Sequence, residues 1–301
     1  MDDLRKGHAA AVPPGAVLER VAIEDRPALV AAFARAQPDA VLHFAAFSLV
    51  GESVAHPDWY YHNNVLATLV LLDVMREHGV RRFVFSSTAA VYGAPEHLPI
   101  DEAAPTQPTN PYGATKLVIE QALPWYEAAF GLRYVSLRYF NAAGATERLG
   151  EHHEPETHLI PLLLQVALGQ RPSAEIYGVD YPTADGTCIR DYIHVADLAE
   201  AHVLALTALE QGSRIYNLGN GLGFSVRQVL EAARRVTGHP IPAVERPRRP
   251  GDPPRLVASA ARIARELGWQ PKRPTLDEII GSAWEWARRH PHGYATGCSS
   301  P

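Results

Sequence analysis

The 301 residues carry 28 Lys and Arg against 33 Asp and Glu, a formal net charge of −5, and are 47% hydrophobic. That is enough apolar content for a sizeable core, with no cationic footprint for nucleic acid. Two cysteines, Cys188 and Cys298, make no disulfide framework or cysteine-based zinc site, no apolar run is of membrane-spanning length, and the opening Met1-Asp2-Asp3-Leu4-Arg5-Lys6 reads as no export signal, so a cytoplasmic protein is expected.

In chain order, Val17 to Ile23 reads as a strand, Arg26 to Ala36 as a helix ended by Pro38, and Ala40 to Phe44 as a second strand. Tyr60 to His78 reads as a helix, apolar at Val65, Leu69, Leu72 and Met75 and stopped by Gly79. Phe83 to Phe85 is a short buried strand that opens into Ser86-Ser87-Thr88-Ala89-Ala90-Val91-Tyr92-Gly93. Pro111 suits the first turn of a helix bearing Tyr112 and Lys116, perturbed at Pro124. Leu132 to Phe140 is a further strand. This alternation predicts the α/β class: a doubly wound, Rossmann-type parallel sheet. From Glu147 the rhythm breaks. A polar, His-rich stretch runs to His158, followed by an apolar helix over Leu159–Leu168 and a strand over Ala174–Tyr177. A helix to about Glu210 and a strand over Arg214–Leu218 come next. Capping boxes at Ser225 and Thr275 open two more helices, the last stopping before Pro291. Residues 292–301 read as a frayed tail.

Tyr112 and Lys116 are four apart, so one helix face presents both. An ammonium beside a phenol favours the phenolate, and a Thr88 hydroxyl at the strand end suits a substrate oxygen: together, a general-base site for an alcohol. A Tyr-x-x-x-Lys pair by itself is more often plain surface; the Ser-Ser-Thr run upstream is what makes it informative. Gly219-Asn220-Gly221-Leu222-Gly223 lacks the spacing of a dinucleotide loop and reads as a tight turn. His152, His153, Glu154, Glu156 and His158 share one Pro-containing loop with no helical His pair or Cys, so no metal is expected.

Taken in order, several motifs resemble the extended short-chain dehydrogenase/reductase family, and within it the UDP-hexose 4-epimerases. They are His43-Phe44-Ala45-Ala46, Val50-Gly51-Glu52-Ser53, Tyr61-His62-Asn63-Asn64, the Thr88, Tyr112 and Lys116 set, Arg138-Tyr139-Phe140-Asn141, Thr157-His158-Leu159-Ile160-Pro161, Asp180-Tyr181-Pro182-Thr183, Arg190-Asp191-Tyr192-Ile193-His194, Asn217-Leu218-Gly219-Asn220-Gly221 and Pro247-Arg248-Arg249-Pro250-Gly251-Asp252. The resemblance runs from Asp2 to Tyr294 and implies NAD as cofactor and a UDP-sugar as substrate. It implies that Tyr112 takes the proton of the sugar 4-hydroxyl, that Lys116 holds the ribose hydroxyls and lowers the Tyr112 pKa, and that Thr88 bonds O4. Phe44, Ala45, Ala46, Asn64 and Tyr139 match NAD-lining positions, and Asp2 or Asp3 the acid that binds the ribose. Asn141, His158, Leu159, Tyr177, Arg190, Arg249 and Asp252 match the UDP end. Leu256 stands where side-chain bulk governs an N-acetylated sugar, leaving UDP-glucose and UDP-N-acetylglucosamine both open. A nucleotide-sugar 4,6-dehydratase shares the oxidation, but Ala89 and Ala90 after Thr88 supply no acid or base. A non-catalytic UDP-sugar-binding remnant is the reading from another class.

The implied division is an NAD-binding domain over 1–149, rejoined by 190–221, and a smaller mixed α/β UDP-sugar lobe over 150–291. Helices at 60–78 and 112–129 are candidates for a homodimer face. Nothing precedes Asp2-Asp3 that would supply the first strand and glycine-rich turn of such a fold. The nucleotide domain is therefore expected to be N-terminally truncated, with a bare edge on the Ala40–Phe44 strand. Poor folding or inactivity is expected of the chain as written, and an in-frame glycine-rich strand–turn–helix upstream of Met1.

Overall fold

The computed structural model describes residues 1–249 and 251–294. Helix α1 (Arg26–Ala36) is capped by Asp25, which accepts from Ala28 N at 3.1 Å, and β1 (Val41–His43) follows it. Next come α2 (Val50–Ala55), α3 (Pro57–Tyr60), a π-helical stretch Tyr61–Leu66, and α4 (Ala67–Glu77). The pattern continues with β2 (Arg82–Thr88), α5 (Pro111–Phe130), β3 (Arg133–Tyr139) and the short β4 (Asn141–Ala143). Beyond it lie α6 (Leu159–Ala167), β5 (Ala174–Tyr177), β6 (Ile189–Arg190), β7 (Tyr192–His194), α7 (Val195–Ala208) and β8 (Arg214–Leu218). The chain finishes with β9 (Phe224–Ser225), α8 (Val226–Thr237), β10 (Ala243–Arg246), β11 (Arg255–Leu256), α9 (Ala261–Leu267) and α10 (Leu276–Arg289).

The central sheet is parallel, in the order β1-β2-β3-β8. It is buried on both faces, as parallel sheets are. Phe83 and Phe85 of β2 pack with Leu29, Phe33, Leu72, Met75 and Ile119, from α1, α4 and α5. Val84, between them, points the other way, into Leu137, Leu198, Ala201 and Ala205, which brings in α7. A separate cluster joins α6, α8 and α10 through Leu163, Leu164, Val229, Ala233, Ile279 and Ile280. Short ladders stitch the rest: β4 with β7, β5 with β10, and β11-β6-β9. No helix among the described residues is long and apolar enough to cross a membrane.

Val17–Ile23 forms no strand. One parallel bridge joins Asp2 to Arg20, with Val21 N donating to Asp2 O at 3.2 Å. Val21 and Ile23 are buried by packing into the α1–α4 cluster without ladder pairing, and β1 is the edge of the sheet. The expected 60–78 helix is broken by its π-helical stretch, whereas α5 runs unbroken through the exposed Pro124. Residues 295–301 of the expected tail, with Cys298, lie outside the described residues. Tyr294 is held: its hydroxyl accepts from Gly150 N at 3.0 Å and donates to Gly150 O at 2.9 Å. The 219–223 turn follows the expectation, joining β8 to β9 with Asn220 N and Gly221 N donating to the buried Asp191 carboxylate at 2.8 and 2.9 Å.

Candidate active site

Strands β1, β2 and β3 end side by side, with Thr88 in register with Tyr139. This carboxyl edge is where an open parallel sheet holds its ligand. Ser86, Ser87 and Thr88 close β2 and are all buried. The turn Ala89–Tyr92 follows, and α5 starts against it. Asn110 caps α5 by accepting from Gly113 N at 2.9 Å, and Pro111 fills the first position. Gly113 is pressed on the turn so closely that an added Cβ would lie 2.5 Å from Ala90 O. That approach sets the Tyr112 phenol beside the Thr88 hydroxyl, which favours the phenolate. Thr88 Oγ1 meanwhile accepts from Ala90 N at 3.1 Å, which leaves its proton for the phenol.

Lys116 sits one turn along α5 and is 3% exposed. Its Nζ donates to Ser86 O at 2.8 Å and lies 4.9 Å from the centroid of the Phe85 ring. Burial pushes its pKa down to about 7, with Glu120 acting the other way. Burial also raises the Tyr112 pKa, opposed by the Thr88 bond. The expectation that Lys116 lowers the phenol pKa is thus not met in this state. The ammonium is committed to a backbone carbonyl and itself titrates near neutrality.

Phe44, 58% exposed, lies tilted against the His202 ring at 4.8 Å, and Ala45 beside it is exposed. Tyr139 OH meets Ser86 Oγ at 2.7 Å and His202 Nε2 at 2.5 Å. Asn64, in the π-helical stretch, is buried and its amide is occupied. Its Oδ1 accepts from Phe47 N at 2.8 Å, and its Nδ2 donates to Phe47 O at 2.9 Å and Thr115 Oγ1 at 3.2 Å. It therefore pins the Ala45–Phe47 loop to α5, with Ala46 inside the pinned loop. Asp2 accepts from Leu4 N at 2.7 Å, and Asp3 holds the Arg5 side chain, which lies 5.6 Å from the Phe47 ring. Both acids are engaged within the N-terminal segment, and Asp3 is linked through Arg5 to the loop after β1.

Of the residues matched to the UDP end, Arg190 adjoins Asp252 and Leu256, and Arg249 pairs with Tyr177, on a rim apart from this floor. Arg190 Nη1 donates to Ile189 O and Pro253 O, each at 2.9 Å, and Nη2 lies 3.6 Å from Asp252. Arg249 covers the Tyr177 ring at 3.9 Å. Leu256 pairs in register with Arg190 and packs on the cluster of Ala89, Tyr92 and Phe140, which joins rim to floor. Asn141 is exposed at the start of β4, its N donating to Asp191 O at 2.9 Å. His158 caps α6 without bonding its backbone and turns Nδ1 to Glu151 instead, while Leu159 packs on the α6–α8–α10 cluster.

Two supports escaped the sequence reading. Tyr60 OH donates to Leu49 O at 2.7 Å and accepts from Leu49 N at 2.9 Å, with its ring edge-on to Tyr112 at 6.4 Å. Arg138, 4% exposed, bonds Glu120 through Nε at 3.0 Å and Tyr92 OH through Nη1 at 2.8 Å; Tyr92 in turn donates to Asn217 at 2.7 Å. The Glu52-Ser53 and Arg138-Tyr139 motifs were the available signals, but their partners lie far off in sequence.

The polar balance of the floor fits a dinucleotide. Lys116 has three ammonium donors and one protein acceptor, and Ser87 Oγ is buried with no hydrogen-bond partner. Vicinal ribose hydroxyls would answer the ammonium, and the Phe44 edge suits a flat ring.

Comparison with known proteins agrees with this geometry. The NAD dependent epimerase/dehydratase family matches residues 1–219. The UDP-glucose 4-epimerase of Halalkalibacterium halodurans is 55% identical over 300 residues, spanning 98% of this chain and 90% of that protein. A crystal structure of a UDP-glucose 4-epimerase superposes with a TM-score of 0.95 at 51% identity, covering 98% of this chain and 91% of that one. The UDP-glucose 4-epimerase of Brucella ovis, solved in complex with NAD, gives 0.91 at 48% identity, covering 94% and 88%. With the parallel sheet, the strand-end hydroxyls and the Tyr112–Lys116 helix in place, the chain belongs to the NAD dependent epimerase/dehydratase family.

Proposed function

We propose that this chain interconverts UDP-galactose and UDP-glucose at C4. The observation that carries this reading is the Tyr112 phenol set beside the Thr88 hydroxyl at the carboxyl end of β2, one turn from the buried Lys116. NAD, when bound, takes up and returns the C4 hydride, and its positive ring favours the phenolate. Thr88 holds O4. Tyr112 removes the 4-hydroxyl proton and returns it once the 4-keto sugar presents its other face. Lys116 holds the ribose hydroxyls, and Phe44, Ala45, Ala46 and Tyr139 line the nucleotide. Arg190 and Arg249 take the diphosphate, whose charge replaces their present partners, Asp252 and the Tyr177 ring. Asn141, His158 and Leu159 complete the UDP end, and Leu256 limits the space for an N-acetyl group.

The test is an assay with UDP-galactose as sole substrate. UDP-glucose should accumulate to a fixed ratio, approached from either side. A 4-keto-6-deoxy product would instead make the protein a dehydratase. UDP binding without NAD in the purified protein, and without turnover, would make it a binding remnant.

The same reading assigns 1–149 with 190–221 to the nucleotide and 150–291 mainly to the UDP-sugar, in a cytoplasmic protein. It also assigns a homodimer to the faces of residues 60–78 and 112–129, supported by the exposed Leu66, Val118 and Trp125, the last 76% exposed. Sedimentation at micromolar concentration should give twice the chain mass; a monomer would overturn the dimer.

A further inference from the structure

The loop between β4 and α6 turns four side chains toward one centre. Glu151, His153, Glu156 and His158 each offer a ligand atom, and the four atoms lie within 4.8 Å of one another. His158 Nδ1 touches Glu151 Oε1 and stands 3.7 Å from Glu156 Oε1. His153 Nδ1 stands 3.3 Å from Glu151 Oε1 and 3.8 Å from Glu156 Oε2. That nitrogen is buried and makes no hydrogen bond. Both imidazoles therefore aim the same ring nitrogen between the same two carboxylates.

Ion pairing accounts for only part of this. It hydrogen-bonds His158 to Glu151, and it sets His153 Nδ1 against both carboxylates at 3.3 and 3.8 Å without a hydrogen bond to either. A cation at the common centre would engage all four groups at once. The surroundings already orient the donors. Glu156 is 5% exposed, and its Oε1 accepts from Thr157 N at 2.7 Å and His158 N at 2.8 Å. The loop backbone is tied from outside by Lys6 Nζ to Glu154 O at 3.1 Å, and by the His8 ring stacked at 4.6 Å on His152. Two imidazole nitrogens with two carboxylate oxygens form a borderline donor set. It suits Zn²⁺ and its first-row neighbours, whereas Ca²⁺ and Mg²⁺ take oxygen. In a tetrahedral site with bonds of about 2.0–2.1 Å, ligand atoms stand roughly 3.3 Å apart. The spacings here bracket that value and close by side-chain rotation.

We propose that Glu151, His153, Glu156 and His158 form a four-coordinate structural site for a divalent first-row transition ion, Zn²⁺ foremost. The sequence expectation of no metal rested on the absence of a helical His pair and of Cys. The fold supplies what that search did not weigh: Glu151, and a loop curled so that residues two, three and five apart converge.

The experiment uses the full-length, tag-free chain, stripped with a chelator and titrated with CoCl₂ alone. One equivalent should bind per chain, with the intense visible absorption of a tetrahedral ion, and ZnCl₂ should abolish it. His153→Ala and the near-isosteric Glu156→Gln should each weaken binding by about 100-fold or more. Glu154→Gln, in the loop but outside the quartet and with an 87% exposed side chain, should leave the spectrum unchanged. No tetrahedral cobalt spectrum in the stripped chain would leave an ion-pair cluster and overturn the site. So would a spectrum that survives Glu156→Gln or is lost in Glu154→Gln.

Discussion

The floor at the end of β2 and the rim that carries Arg190 and Arg249 present polar groups in opposite ways. On the floor, Thr88, Lys116 and the Arg138–Glu120 pair are all under 10% exposed and held by strands and one helix. On the rim, Arg190 meets Asp252 at a loose 3.6 Å, Arg249 lies over a tyrosine ring, and both come from or lean on irregular chain. Floor groups are placed by the fold and are costly to disturb. On the proposed function, an acidic ligand replaces the looser side-chain partners of the rim, Asp252 and the Tyr177 ring. Changes to the floor should therefore appear in turnover and stability, and changes to the rim in affinity.

The sharpest test of that contrast is Tyr112→Phe. It removes one hydroxyl from the floor, and kcat should fall by about 10²–10⁴-fold, the usual span for a general base, with NAD still bound. Near-normal turnover would show that the base lies elsewhere. Next is Arg138→Leu, which strands the buried Glu120 and should cost about 3–5 kcal/mol in denaturant unfolding. A loss below 1 kcal/mol would mean that the floor is no more rigid than the surface. On the rim, Arg190→Ala should raise KM for the UDP-sugar by about 10–100-fold, as for a charged hydrogen bond, and change kcat far less. A fall mainly in kcat would erase the distinction between the regions.

The smallest effect per step is in pH. Lys116 has its folded pKa pushed down to about 7, while the unfolded chain keeps an ordinary lysine. Above that value the unfolded state binds the extra proton, so stability rises with pH. In nucleotide-free protein the wild type should gain about 1 kcal/mol per pH unit over Lys116→Met from about pH 7 upward, within the upper bound set by one proton. Parallel curves would mean that Lys116 is not desolvated.

The floor was readable because its signals are local. Asn110-Pro111 starts α5, Gly113 permits the close contact, and Ser86-Ser87-Thr88 ends a strand, all within one run of sequence. The capping boxes at Ser225 and Thr275 placed α8 and α10 equally well, with both reciprocal bonds formed. What stayed hidden depends on distant partners. Arg138 finds Glu120 and Tyr92, and Tyr60 finds Leu49, only after folding. Val17–Ile23 has the composition of a strand, but packing buries Val21 and Ile23 without a ladder. The sign of the Tyr112 shift was hidden too, because adjacency on a helix says nothing about the burial of the phenol that raises its pKa.

The cluster joining α6, α8 and α10 bears on how the chain acquires its shape during synthesis. Leu163 and Leu164 leave the ribosome more than a hundred residues before Ile279 and Ile280, the side chains that complete their burial. The β2–β3–β8 ladders, by contrast, are complete once Leu218 has emerged. The sheet is thus available first, and the apolar face of α6 is covered in turn by α8 and then by the final helix. Contacts spanning such a separation form slowly, and an apolar surface that waits is prone to aggregate. The closing step of maturation belongs to α10, which bonds Ala145 N and His194 through Ser282.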